Sequence, residues 1–178
     1  MTFKAAVVQD SPILFNLRLT LEKVAVLTEK ASKNNAKLIV FPEAFLSAYP
    51  KGFDFGAKIG YRTVEGRNDF LDYYNSSLDL KSNDFLNLLS IAKKNNIYMV
   101  IGVIEKTFGT LYCTILHISD KGELLCKHRK VMPTAAERLV WGFGDGSTIK
   151  VAKTSIGVIG SVICWENYMP MLRMAMYD

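Results

Sequence analysis

The chain has 178 residues, 49% of them hydrophobic and 22% charged, a balance that fits one globular domain over residues 1–178. The formal charge is +5, but the lysines are scattered instead of gathered on one stripe, which argues against a nucleic-acid binder. No apolar run reaches the roughly 18–20 residues of a membrane span, and Ala5-Ala6-Val7-Val8 is too short for the apolar region of a signal peptide, so the expectation is a soluble, cytoplasmic protein.

The first sixty residues read as strand, helix, strand. Residues 3–8 are β-rich. Leu17, Leu21, Val24 and Leu27 recur at helical spacing across 16–35, and 37–41 is a short apolar run ended by Pro42. That order predicts parallel pairing with the helix on one face. Residues 46–83 are rich in Gly, Tyr, Phe, Asp and Asn without steady periodicity, and read as a long irregular segment with a short helix near 69–74. Helical spacing returns over 84–95. Strands follow at 97–104 and 111–118, and 123–127 pairs back through the turn residues Ser119-Asp120-Lys121-Gly122. The last two strands are expected at 149–152 and 157–163, joined by Lys153-Thr154-Ser155. A helix carrying Met171, Leu172, Met174 and Ala175 then starts near Asn167 or Pro170.

Three cysteines stand at 113, 126 and 164, an odd count at wide spacing with no Cys-x-x-Cys pair. Structural zinc and a disulfide framework are therefore disfavoured, and reduced thiols in a reducing compartment fit best. Cys113 and Cys126 fall inside expected strands, as small buried hydrophobes would. Cys164 falls between a strand and a helix N-terminus, where free N–H groups and the helix dipole stabilise a thiolate. Only two histidines exist. His117 lies in a strand pattern and reads as structural, while His128 sits two residues before Lys130. No Ser/His/Asp set is evident, so a carboxylate or lysine is the better candidate base. Glu43 follows a strand's carboxyl end, where sites collect in open α/β sheets. Gly142-Phe143-Gly144-Asp145-Gly146-Ser147 is glycine-rich but lacks a Gly-Lys-Ser/Thr and precedes a strand, so it reads as a turn and not a phosphate loop.

Taken together, Glu43, Lys130 and Cys164 resemble the Glu-Lys-Cys triad of the carbon–nitrogen hydrolase superfamily. Phe41-Pro42-Glu43-Ala44 is similar to the glutamate motif of its nitrilase branch, and Tyr49-Pro50-Lys51-Gly52 to the segment after it. His128-Arg129-Lys130-Val131-Met132-Pro133-Thr134 resembles the lysine motif, followed by words similar to Glu137-Arg138-Leu139-Val140-Trp141-Gly142. Cys164-Trp165-Glu166-Asn167-Tyr168-Met169-Pro170 resembles the nucleophile motif. These words occur in the family's order across nearly the whole chain.

The resemblance implies an α/β fold, the nitrilase-like α-β-β-α sandwich, in a homo-oligomer with no metal and no organic cofactor. It implies a nitrile as small-molecule substrate, hydrolysed to a carboxylic acid and ammonia. Cys164 would be the nucleophile, Glu43 the general base, Lys130 the stabiliser of negative charge, and Glu137 a positioning or proton-shuttling group. Tyr49, Trp165 and Glu166 are candidate substrate contacts, the last with Trp165 also through backbone N–H groups. Family members continue well past the cysteine helix, so the sandwich is expected to be incomplete, with its C-terminal part missing. Two alternatives stay open: an amidase or cyanide-converting relative with the same triad, and an inactive truncated remnant serving as an interaction module.

Overall fold

The computed structural model describes residues 2–177. Five strands form the main sheet: β1 Lys4–Val7, β2 Ala36–Val40, β3 Tyr98–Thr107, β4 Thr110–Ile118 and β5 Leu124–Arg129, hydrogen-bonded in that order. β1, β2 and β3 run parallel, and β3, β4 and β5 form an antiparallel meander. The parallel pairing expected from strand-helix-strand order is therefore present.

Two helices close one face. Helix α1, Leu17–Lys33, begins at Asn16, whose side chain accepts from Leu19 N at 3.0 Å, and it ends with Lys30 and Lys33 against the carbonyl end of its dipole. It buries Leu21, Val24, Thr28 and Ala31. Helix α3, Asn83–Asn95, starts on the Ser82 side chain and buries Phe85, Leu88, Ile91 and Ala92. These side chains meet Ile39 of β2, Met99, Ile101 and Val103 of β3, and Leu116 and Ile118 of β4 in one apolar core. Alternation along β4 sends Cys113 and His117 away from that core.

The opposite face is covered by shorter pieces. Helix α2, Val64–Asn75, lies within the segment read as irregular and is longer than the expected 69–74, because Thr63 caps it by accepting from Gly66 N. The expected helix is present within it, and since only Gly66 and Tyr73 on α2 are buried, periodicity did not reveal the first turns. Tyr73, Ile104, Leu111, Cys113, Trp141 and Ile163 build a second apolar cluster. Strands β6, Ala152–Thr154, and β7, Gly157–Ile159, form a separate two-stranded sheet. The expected strands 149–152 and 157–163 are corrected here. β6 starts three residues later and absorbs part of the expected turn, and residues 160–163 pair with no strand among the described residues. Helix α4, Pro170–Tyr177, follows.

Candidate active site

Glu43 stands past the carboxyl end of β2, carried on a backbone that crosses β3 at Gly102. A Cβ at Gly102 would lie 2.4 Å from Pro42 O and 2.7 Å from Glu43 Cα, so only glycine permits the crossing. Leu46 then bridges into β3, with its N–H donating to Gly102 O at 3.1 Å. Lys130 stands past the end of β5, its N–H donating to Cys113 O at 2.8 Å. Glu137 lies on a short 3-10 turn, Ala135–Leu139.

The Lys130 ammonium is fully buried and donates to Glu43 Oε1 and Glu137 Oε2, each at 2.8 Å. It also lies 5.6 Å from the centre of the Trp141 ring, a cation–π distance. Burial alone would lower its pKa. The hydrogen bonds to Glu137 and Glu43 outweigh burial and hold it above the ordinary lysine value, so the cation persists. Both Glu137 oxygens are committed: Oε2 also accepts from Thr134 N at 2.7 Å, and Oε1 accepts from the Tyr49 hydroxyl at 2.8 Å. Burial and that carboxylate push the Tyr49 phenol up to about 12, so Tyr49 stays protonated and orients Glu137. Glu43 differs. Its Oε1 takes both Lys130 and the Cys113 thiol, the latter at 3.5 Å, while Oε2 has no hydrogen-bond partner among the described residues. Of the two carboxylates, Glu43 is the one with an oxygen left to receive a proton.

Cys164 opens a second 3-10 turn, Cys164–Tyr168, at φ 52°, in the left-handed region that side chains other than glycine rarely adopt. It is exposed, unlike Cys113 and Cys126. A cavity of about 250 Å³ has Glu43, Cys113 and Cys164 together on its wall. A larger cavity, about 450 Å³, lies between β7 and α4 and touches none of the motif-matched catalytic side chains.

Glu166 fixes the cysteine turn from behind. Although expected to touch substrate, it is fully buried, and its Oε2 accepts from Ile163 N at 2.7 Å and its Oε1 from Val131 N at 2.8 Å. His128 Nε2 lies 2.9 Å from Oε2 and 3.1 Å from Oε1. Burial raises the carboxyl pKa, but His128 and the two backbone N–H groups more than reverse this, leaving it below the ordinary value. One carboxylate thus ties the residue after Lys130 to the residue before Cys164. Trp165 is exposed, packs on Tyr168 with ring centres 5.1 Å apart, and is not among the residues lining the Glu43–Cys164 cavity. Tyr49 is placed beside the cluster through Glu137. The contacts that sequence reading missed are the Cys113 thiol on Glu43 and the His128–Glu166 pair, which join residues 70 and 38 positions apart. Among the described residues, no group of three or more His, Cys, Asp or Glu side chains is placed to hold a metal ion.

The carbon-nitrogen hydrolase family profile matches residues 4–178. The chain belongs to this family. A bifunctional nitrilase/nitrile hydratase of Lupinus angustifolius is 49% identical over 176 residues, covering 99% of this chain and 50% of its own length. A nitrilase of Bradyrhizobium diazoefficiens is 52% identical over 177 residues, covering 99% of this chain and 55% of its own. The chain thus spans about half the length of the curated relatives it matches. Among solved structures, a carbon-nitrogen hydrolase from Helicobacter pylori superposes with a TM-score of 0.70 at 22% identity, over 97% of this chain and 55% of that one. The NitFhit protein of C. elegans superposes at 0.72 with 18% identity, over 94% of this chain and 39% of that one. At those identities the likeness establishes the nitrilase-superfamily fold, of which this chain holds a part. No helix among the described residues is long and apolar enough to cross a membrane.

Proposed function

We propose that this chain carries the reactive centre of a nitrilase-type hydrolase that converts an organic nitrile to a carboxylic acid and ammonia. The observation that carries the reading is the buried Lys130 ammonium held between Glu43 and Glu137, with Glu43 and the exposed Cys164 on one cavity wall. Roughly half-identical nitrilases support it from the sequence side.

In this mechanism Cys164 Sγ attacks the nitrile carbon and its proton goes to Glu43 Oε2, the uncommitted oxygen. The nitrogen, now carrying negative charge, is stabilised by Lys130 and takes a proton, giving a covalent thioimidate. Water activated by Glu43 adds to that carbon, ammonia leaves, and a thioester remains. A second water attacks the thioester, releasing the acid and restoring the thiol. Glu137, saturated by Lys130, Thr134 and Tyr49, positions the ammonium. Tyr49 reaches the chemistry through Glu137, and Trp165 stays a candidate contact for substrate; the Glu166 backbone N–H, expected to help hold the intermediate, instead donates to Ile163 O at 3.0 Å and is not free to do so.

The product has a second possibility within the same chemistry. After water adds, the tetrahedral carbon bears both nitrogen and sulfur, and loss of sulfur in place of nitrogen gives an amide. The lupin relative's name couples nitrilase to nitrile hydratase, which favours assaying both products. The three free cysteines support a reducing, cytoplasmic setting, and the exposed Tyr168, Met171 and Tyr177 support a homo-oligomer.

The test is ammonia and amide release from a nitrile panel, with matched amides as alternative substrates. Cys164→Ala should abolish both products from nitriles, and full turnover by that variant would sink the assignment. Preference for amides over nitriles would move the chain to the amidase reading.

A further inference from the structure

Ser161 lies on the wall of the Glu43–Cys164 cavity, three residues before the thiol. Its neighbours there include the apolar Val40, Val100, Ile115 and Val162. Thr114, the other hydroxyl on this wall, is committed to Glu105 Oε2 at 3.0 Å. Ser161 belongs to a different chain of contacts. Its Oγ is 2.8 Å from His117 Nε2, His117 Nδ1 is 3.3 Å from Cys126 Sγ, and that sulfur is 3.9 Å from the Lys150 carbonyl.

Only one direction of donation uses all three contacts. The Lys150 carbonyl accepts and never donates, so the Cys126 S–H points to it. The sulfur then accepts from Nδ1–H of His117. Burial pulls the His117 pKa down to about 4, so at neutral pH the ring holds one proton, on Nδ1, and Nε2 accepts. Ser161 has a single proton and gives it to Nε2. With its proton given to His117, the Ser161 oxygen keeps only lone pairs for a further partner, and the residue lines both this cavity and the larger one between β7 and α4.

We propose that Ser161 is a specificity-determining acceptor in the substrate cavity, selecting nitriles that carry a hydroxyl near the nitrile carbon over alkyl nitriles of the same length. This rests on the nitrile-hydrolase reading. A site built to hydrogen-bond a substrate hydroxyl discriminates against the analogue lacking it, because the acceptor is then left without a partner. His117 and Cys126 touch no substrate in this scheme. They fix which way the serine hydroxyl points.

The experiment compares 3-hydroxypropionitrile with butyronitrile, which have equal numbers of heavy atoms. The parent chain should favour the hydroxynitrile in kcat/KM, and Ser161→Ala should lower the hydroxynitrile-to-butyronitrile ratio by about 3- to 10-fold. An unchanged ratio overturns the proposal. Binding of the same two nitriles to Cys164→Ala, with and without Ser161→Ala, reads the preference without turnover. A Ser161-dependent binding preference in a chain that hydrolyses neither compound upholds this inference while defeating the hydrolase reading. Equal binding ratios in the two variants overturn it. Nitrogen-15 NMR of His117 supplies a further check: a proton on Nδ1 is expected, and a proton on Nε2 would turn the serine O–H outward as a donor and overturn the assignment.

Discussion

The two faces of the main sheet are finished to different degrees. Beneath α1 and α3, Leu88, Met99 and Ile101 are wholly excluded from solvent. On the side of β6, β7 and α4, Val158, Trp165, Tyr168, Met171 and Tyr177 remain 58–79% exposed. The candidate site straddles this border. Glu43 and Lys130 extend from strand ends of the well-packed sheet, while Cys164 sits on the sparsely covered side and is held to Lys130 by the buried Glu166. Changes on the packed side should therefore lower stability and activity together. Changes at the exposed residues of the other side should act on activity or association with little effect on stability.

The largest effect is expected from Lys130→Met, which leaves two carboxylates facing each other without their cation. Removing one partner from a buried ion cluster costs about 3–5 kcal/mol, so urea unfolding should shift sharply and ammonia release should disappear. Next comes pH. The folded pKa of His117 is about 4 against an ordinary 6.5, so the unfolded chain takes up a proton that the folded chain refuses. Stability fully present above pH 6.5 is lost as pH falls through about 4, a change of about 3 kcal/mol. Denaturant melts across that window should show the slope, and His117→Phe should flatten it. Glu105 and Glu166, both held below the ordinary 4.5, add their losses only below that value. Gly102→Ala should cost about 1–3 kcal/mol by driving Pro42 and Glu43 off β3, with turnover falling in parallel. The smallest change is Met171→Lys on the exposed α4. Its effect on stability should stay within about 0.5 kcal/mol, and light scattering should show weaker self-association if that face packs against a second copy.

What the sequence made legible follows the same border. Helices α1 and α3 were readable because each lays a continuous apolar stripe on the sheet and carries a side-chain cap, Asn16 or Ser82. The β3–β4–β5 meander was readable from apolar runs broken by turn residues. Helix α2 was legible only in its second half, as the short helix expected at 69–74, because its mostly exposed surface weakens periodicity and its start is marked by the Thr63 cap alone. The strands after residue 149 were misplaced because their short pairing carries no strong alternation. Within the site, the motif words pointed to Glu43, Lys130, Glu137 and Cys164. They did not show that Lys130 joins both glutamates, that Glu43 keeps a free oxygen or that Glu166 turns inward. Those facts depend on side-chain directions between segments far apart in sequence. Ser161, His117 and Cys126 were hidden for the same reason, since Ser161 and His117 lie 44 positions apart.

The ammonium of Lys130 has a simple valence consequence. It carries three N–H bonds, and its hydrogen bonds to Glu43 and Glu137 use two of them. On a tetrahedral nitrogen, the C–N bond and two committed N–H bonds leave one direction for the third. Such a group is a tripod with two feet planted. A planar guanidinium in its place would present five donors in a rigid fork, and could not keep both feet where they are while aiming a single bond elsewhere.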